Sequence, residues 1–403
     1  MNKVGIIGGG PSGMMAGISA SKNNEVHILE KNEKLGKKLY ITGKGRCNLT
    51  NGMDINDFFS NIIRNPKFLF SSLYNFTNYD LMYFFEKEGL KLKEERGGRV
   101  FPESDKSSDV IKTLTERLVY DGVNIHLNTE VLDISKEKDT FYVKTKDEVF
   151  TFDKLIIASG GISYPNTGST GDGYVFAKKF GHKIHKPYPS LVAFILEDDF
   201  TSELMGNSLK NVELTMKIGK KKYSEFGEML FTNRGISGPI VLSLSSRVLD
   251  NKDIKLSLDF KPSLTYKKLD NRLIREIEQN SNKEIKTVLE NLLIKRFVKI
   301  FLDSLNIEED KKANQITSEE RQSMVERIKN FPLHFKELAG FNQRIITAGG
   351  VDTNEINPSS LESKLVSGLY FCGEVINVDA LTGGFNLQIT FSTGYLAGQN
   401  VGD

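Results

Sequence analysis

Tryptophan is absent from this chain of 403 residues, cysteine occurs twice and histidine five times. Cys47 and Cys372 form neither a CxxC pair nor a metal-ligand spacing, which excludes a disulfide-built scaffold and a cysteine-based zinc module. The histidines (His27, His126, His182, His185, His334) are scattered. His182-x-x-His185 has no further ligand-like neighbours, so no metal site is expected. No nucleophile–base constellation stands out either, and no residue is given an acid–base role. No apolar run approaches the roughly 18 residues of a membrane span. The chain enters a strand at once, without room for a charged segment, apolar core and cleavage site, which predicts a cytoplasmic protein. Charge of either sign is also not in excess: 54 Lys+Arg against 52 Asp+Glu give +2. That balance neither demands nor excludes a nucleic-acid partner, and Lys220-Lys221-Lys222 reads as a solvated turn.

What is present is a globular composition, 39% hydrophobic and 26% charged, long enough for two or three domains. Its most informative stretch is near the start. An apolar run (Val4, Ile6, Ile7) leads into Gly8-x-Gly10-x-x-Gly13, and 14–20 reads as a helix. Gly8 permits a tight turn, Gly10 lets backbone approach a pyrophosphate, and Gly13 allows close helix–strand packing. Pro11 and Ser12 fall within the same turn. A pyrophosphate suits the N–H groups and positive dipole end of that helix. A second strand over 25–30 ends in Glu30, placed to accept from the ribose hydroxyls of an adenosine. Lys31, beside it, and Val131 join the expected cofactor set. Strand, glycine turn, helix and acid together predict a bound dinucleotide.

Beyond a glycine-rich loop at 36–50, residues 66–122 read as largely helical, with apolar faces at Phe84, Phe85, Leu90 and Leu92. Alternating strands follow at 124–127, 140–144 and 148–152. The run 154–161 reads as a buried parallel strand delivering Ser159, Gly160 and Gly161 to a turn. Short alternating segments at 190–196, 211–218, 221–226 and 254–260 suggest a barrel-like module. Residues 263–330 have helical spacing, and Thr317-x-x-Glu320 reads as a capping box. Ser237 is a credible cap for a helix opened by Pro239. After about 344 the glycine-rich strand-and-turn texture returns. The expected organisation is an α/β, Rossmann-like dinucleotide domain from 1–187 and 345–403, a β-rich insert from 188–262 and 331–344, and a helical insert at 263–330.

Two features favour FAD over NAD. The segment 368–374 reads as a strand delivering Gly373 and Glu374 to a turn, followed by Asp379, Gly384, Phe385 and Asn386. A helix over 387–400 then points its N-terminus at the flavin pyrimidine, where a positive dipole stabilises an anionic reduced ring. The other is the returning strand 155–161. The loop at 159–173 lacks the strand–helix–strand–acid context of a second phosphate cradle and is read as a structural or site-lining turn. NAD(P)H is therefore expected to visit the flavin face without a Rossmann domain of its own.

The loop 36–51, the segment 227–239, Thr347-Ala-Gly-Gly-Val-Asp352 and the segment 373–386 together resemble the BaiN-like flavoproteins, the aminoacetone oxidase family of FAD-binding enzymes. The resemblance runs from end to end. It implies the two-dinucleotide type of FAD domain with a β-barrel-like and a small helical insert. It also implies that Lys38, Gly43, Arg46, Cys47 and Asn48 belong to the cofactor site. Where the family pattern reads Gln-Trp-Ala, this chain has Gln388-Ile389-Thr390. The expected activity is NAD(P)H-driven, FAD-dependent reduction of an activated C=C bond in a small molecule. The alternatives are reduction of uridine in ribosomal RNA, and amine oxidation or redox sensing without turnover. The RNA reading predicts a contiguous basic face; the small-molecule reading predicts an enclosed apolar pocket.

Overall fold

The computed structural model describes residues 1–248, 253–339 and 346–402. The chain divides into two compact units, Met1–Ser190 with Arg344–Asp403, and Leu191–Gln343. The expected boundary near 344 lies outside the described residues.

The first unit is built on five parallel strands in the order Leu369–Phe371, Lys154–Ile157, Lys3–Ile7, Glu25–Leu29, Asn124–His126. Their side chains are buried almost throughout (Val4, Ile6, Val26, Ile28, Leu155, Ile156, Phe371), as strands covered on both faces require. One cover is the first helix, Pro11–Ala20, which runs against the closing helix, Phe385–Asn400. Their backbones approach closely because of glycine. A Cβ on Gly394 would stand 2.4 Å from the Ser12 carbonyl oxygen, and one on Gly398 2.3 Å from that of Ala16. The hairpin Leu92–Glu95 with Arg99–Pro102 interrupts the stretch read as helical. Gly97 and Gly98, both with φ above 70°, turn it, and Leu92 belongs to a strand. The strand Val131–Glu137, which completes a three-stranded antiparallel sheet, also escaped the alternation reading.

The second unit holds a closed barrel of six strands: Phe194–Leu196, Gly235–Ser237, Lys221–Thr232, Ser208–Ile218, Ile254–Asp259 and Phe331–Leu338. Four helices follow the fifth of these in the chain, Tyr266–Gln279, Ile285–Leu289, Lys295–Asp303 and Ser318–Lys329. They share one core with the barrel, in which Phe297 packs on Phe231, Phe260 and Phe331. The capping box forms as expected: Thr317 accepts from the Glu320 N–H, and Glu320 accepts from that of Thr317. The helix Pro239–Ser245 does begin at its proline. Its cap is Gly238, however, whose φ of 102° brings the chain off the strand that ends in Ser237.

Candidate functional site

All the turns that end the central parallel strands open on one side of the sheet, the side where α/β proteins bind ligands. A cleft lies there, lined wholly by residues of the first unit. Gly8, Gly10, Pro11 and Ser12 line it from the end of the first strand, and Glu30 and Lys31 from the second. Ala158, Ser159 and Gly160 line it from the returning strand, and Lys38, Val131 and Glu374 complete the part expected from sequence.

The glycine turn is sterically determined. Gly8 has φ 105°, and an added Cβ would stand 2.7 Å from the Ala158 carbonyl oxygen; on Gly13 it would stand 1.9 Å from that of Gly8. At Gly10, by contrast, an added Cβ meets nothing within 4 Å. That glycine keeps open a space in front of the first turn of the helix, whose N–H groups have no intrahelical acceptors. Both oxygens of Glu30 are anchored by protein. One accepts from the Gly9 N–H at 2.7 Å, the other from the Asn32 N–H at 2.8 Å and the Asn32 amide at 2.6 Å. A carboxylate has about four lone-pair sites, so Glu30 retains capacity for ribose hydroxyls. The Ser159 hydroxyl is buried with no hydrogen-bond partner. An open cradle at a helix N-terminus and an oriented carboxylate fit an adenine dinucleotide.

Elsewhere in the cleft, Lys38 is paired with Glu374 and donates to Ser163. Ser163 donates to Glu374 at 2.9 Å, and so does the Thr347 N–H at 2.6 Å. Burial pushes the Glu374 carboxyl upward, but Lys38 and these two donors outweigh it and hold it below the usual carboxylate value. Lys31 donates to Thr170 at 2.5 Å and to Asp172 at 2.6 Å. Of the two roles read for the loop 159–173, structural or site-lining, part of it lines the cleft through Thr167, Gly168, Ser169 and Asp172. Sequence reasoning passed over Asn32, although its place two residues after the acid was a signal. It gave no role to Ser163, inside the 159–173 loop, or to Thr347, which opens the 347–352 motif, because their bonds to Glu374 are not visible in the sequence.

The remaining expected residues stand behind or beside the cleft and do not line it. Gly13 closes the helix onto the strand. Gly161 leaves no room for a Cβ beside Thr347, and Gly373, with φ 77°, lies against Ser12. Arg46 bonds Glu95 at 2.5 Å and Asp105 at 2.6 Å and lies over the Phe101 ring at 4.2 Å. Those carboxylates hold its pKa above the usual guanidinium value. Cys47 is fully buried with φ 59°, and burial pushes its thiol upward; Gly43 turns the loop with φ 61°. The Asn48 amide joins the carbonyls of Thr50 and Val100 to the Gly384 N–H when its nitrogen faces the carbonyls. Asp379 is buried on Arg64 at 2.5 Å and Ser190 at 3.1 Å, and burial raises its pKa despite both. Phe385 meets Phe58 edge-on, and the Asn386 amide staples the Ala380 backbone at 2.8 and 2.9 Å. These groups shape the closing helix, which lines the cleft through Leu387 and Thr390. In place of the family's indole, Ile389 packs in the core. Gln388 is buried, accepting from the Thr50 hydroxyl at 2.7 Å.

The family model described as "HI0933-like protein Rossmann domain" matches residues 2–400. The chain belongs to this family. It is a family of flavin-dependent oxidoreductases with a Rossmann nucleotide-binding fold. Among curated relatives, a 3-dehydro-bile acid delta(4,6)-reductase of Clostridium scindens is 31% identical over 408 residues, covering 99% of this chain and 98% of the relative. A ribosomal RNA dihydrouridine synthase of Haemophilus influenzae is 31% identical over 398 residues, covering 97% and 96%. Its namesake in Escherichia coli is 30% identical over 399 residues, covering 98% and 97%. Among the described residues no helix is long and apolar enough to cross a membrane.

Proposed function

We propose that the protein is a cytoplasmic FAD-dependent reductase of an activated C=C bond in a small molecule, with NAD(P)H as hydride donor. The observation that carries the reading is the end-to-end similarity to a delta(4,6)-reductase, joined to a cleft whose first turn suits a dinucleotide. A bound flavin supplies two-electron transfer that amino-acid side chains lack. The chain supplies position and field. The N–H groups after Gly10 would bind the pyrophosphate, and Glu30 would hold the adenosine ribose. Lys38, Ser163 and the Thr347 N–H keep Glu374 ionised and fixed at the wall. The closing helix would meet the cofactor through Leu387 and Thr390, which line the cleft. Arg46, Cys47, Asn48 and Asp379 act one layer out, by holding the loops that face it.

A second reading is supported by the relatives named for dihydrouridine in ribosomal RNA. The two share their chemistry. A 3-oxo steroid unsaturated at C4 and a uracil ring both present a C=C bond conjugated to a carbonyl. Reduction adds hydride to the β carbon and a proton to the α carbon in each case. Anaerobic titration with NADH and then NADPH, read as bleaching of the oxidised-flavin band, tests the donor. Turnover of a 3-oxo-Δ4 steroid against turnover of a ribosomal RNA transcript then decides the acceptor. A protein whose flavin neither nucleotide bleaches overturns the NAD(P)H assignment, and one that binds no FAD overturns the whole reading.

A further inference from the structure

The register of the barrel brings together basic residues that are scattered in the sequence. His334 stands opposite Lys255, Lys255 opposite Lys217, and Lys217 opposite Lys222, one row across four adjacent strands. All four are exposed. Directly opposite residues hold their Cβ atoms about 4.5–5.5 Å apart, and like charges so placed repel. His334 is paired with Asp198 at 2.7 Å. Among the described residues no carboxylate pairs with Lys217, Lys222 or Lys255. Gly219, with φ 55°, turns the hairpin that adds Lys220 and Lys221 to the same end.

On the next rung Ser257, Thr215 and Ser224 lie opposite one another; Thr215 is buried and its hydroxyl is bonded to that of Ser224 at 2.8 Å. One rung further stands Phe226, 61% exposed, opposite Glu213. From Lys222 to Phe226 the strand covers about 13 Å. Glu213, and Asp259 held by Lys329 at 2.6 Å, make the Phe226 end less positive than the lysine end. Cations in a row and a bare ring beyond match a nucleotide strand, with phosphates over lysines and a base over the aromatic face. A bilayer surface would call for a broad apolar face as well.

We propose that this face of the barrel docks single-stranded RNA. The choice of RNA among polyanions rests on the uridine reading given above. The test uses the full-length holoenzyme and labelled oligouridine, with affinity measured across a salt series. Three phosphate contacts at a slope of about 0.7 each mean that K217Q/K222Q/K255Q lowers the dependence of log affinity on log salt by about 2. Phe226→Ala weakens binding roughly five-fold or more and leaves that slope unchanged. Flavin content and steroid turnover, which involve none of these residues, stay at the wild-type level, and relief of repulsion raises the melting temperature of the triple variant. Unchanged affinity and slope in the triple variant overturn the proposal, as does failure to bind oligouridine. Tighter binding to phosphatidylserine vesicles overturns it in favour of a membrane surface. If the lysines carry oligouridine binding but the wild type reduces no uridine, the docking face stands and the uridine reading falls. If uridine reduction is undiminished in the triple variant, the uridine reading stands and the docking face falls.

Discussion

Lys38 and Glu374 are 336 positions apart in sequence and meet in the cleft. Glu374 has its folded-state pKa depressed, so the pair contributes stability that is present above the ordinary carboxylate value and lost as pH falls through the depressed one. Stability from this group is therefore flat around neutral pH. Lys38→Met leaves burial opposed only by Thr347 and Ser163, and the carboxyl rises. Thermal melts should show a loss of about 2 kcal/mol near neutral pH, partly recovered on acidification, where the wild type recovers nothing. The thiols make the other residue-scale prediction. Cys47 and Cys372 are both free and buried, and burial pushes the Cys372 thiol up to about 12. Neither should react with a disulfide reagent at pH 8 until the protein is unfolded, when both do. Rapid labelling of either in the native state would contradict this burial.

At the scale of elements, the glycines of the first turn separate into two kinds, and only geometry tells them apart. Gly13→Ala forces a methyl to 1.9 Å from the Gly8 carbonyl oxygen and should destabilise the protein by about 1–3 kcal/mol. Gly10→Ala places its methyl in open space with an ordinary extended backbone (φ −77°, ψ 179°). It should leave the melting temperature of the apoprotein unchanged while flavin retention falls, as measured by absorbance after gel filtration. Gly394→Val should behave like the first kind, since it pushes the closing helix off Ser12. The turn itself was legible in the sequence because GxGxxG between strand and helix is a local steric solution. The close packing of Gly394 and Gly398 was not, because the helix they approach lies at the other end of the chain. Likewise the capping box at Thr317 was readable within four residues, whereas the cap expected at Ser237 gave way to Gly238, since Ser237 is committed to a barrel strand.

For the whole molecule, cofactor binding is linked to folding. Titrating FAD into the apoprotein should raise the melting temperature with the logarithm of its concentration, worth about 2.7 kcal/mol at one hundred times Kd. A melting temperature indifferent to FAD would remove the dinucleotide from the cleft. The sequence by itself determined the α/β class, the dinucleotide turn with Glu30, four of the six strands of the barrel and the family. Each of these is written in local periodicity or in motifs whose stereochemistry is local. Only the tertiary structure decided which expected residues share one cleft, and why Arg46 bonds two carboxylates instead of lining it. It alone set Lys38 on Glu374 and aligned Lys255, Lys217 and Lys222 across three strands. The physical reason is the same in each case. Ion pairing, burial and cross-strand register depend on residues brought together by long-range contacts, and a strand's pattern records which of its faces is outward but not what stands opposite.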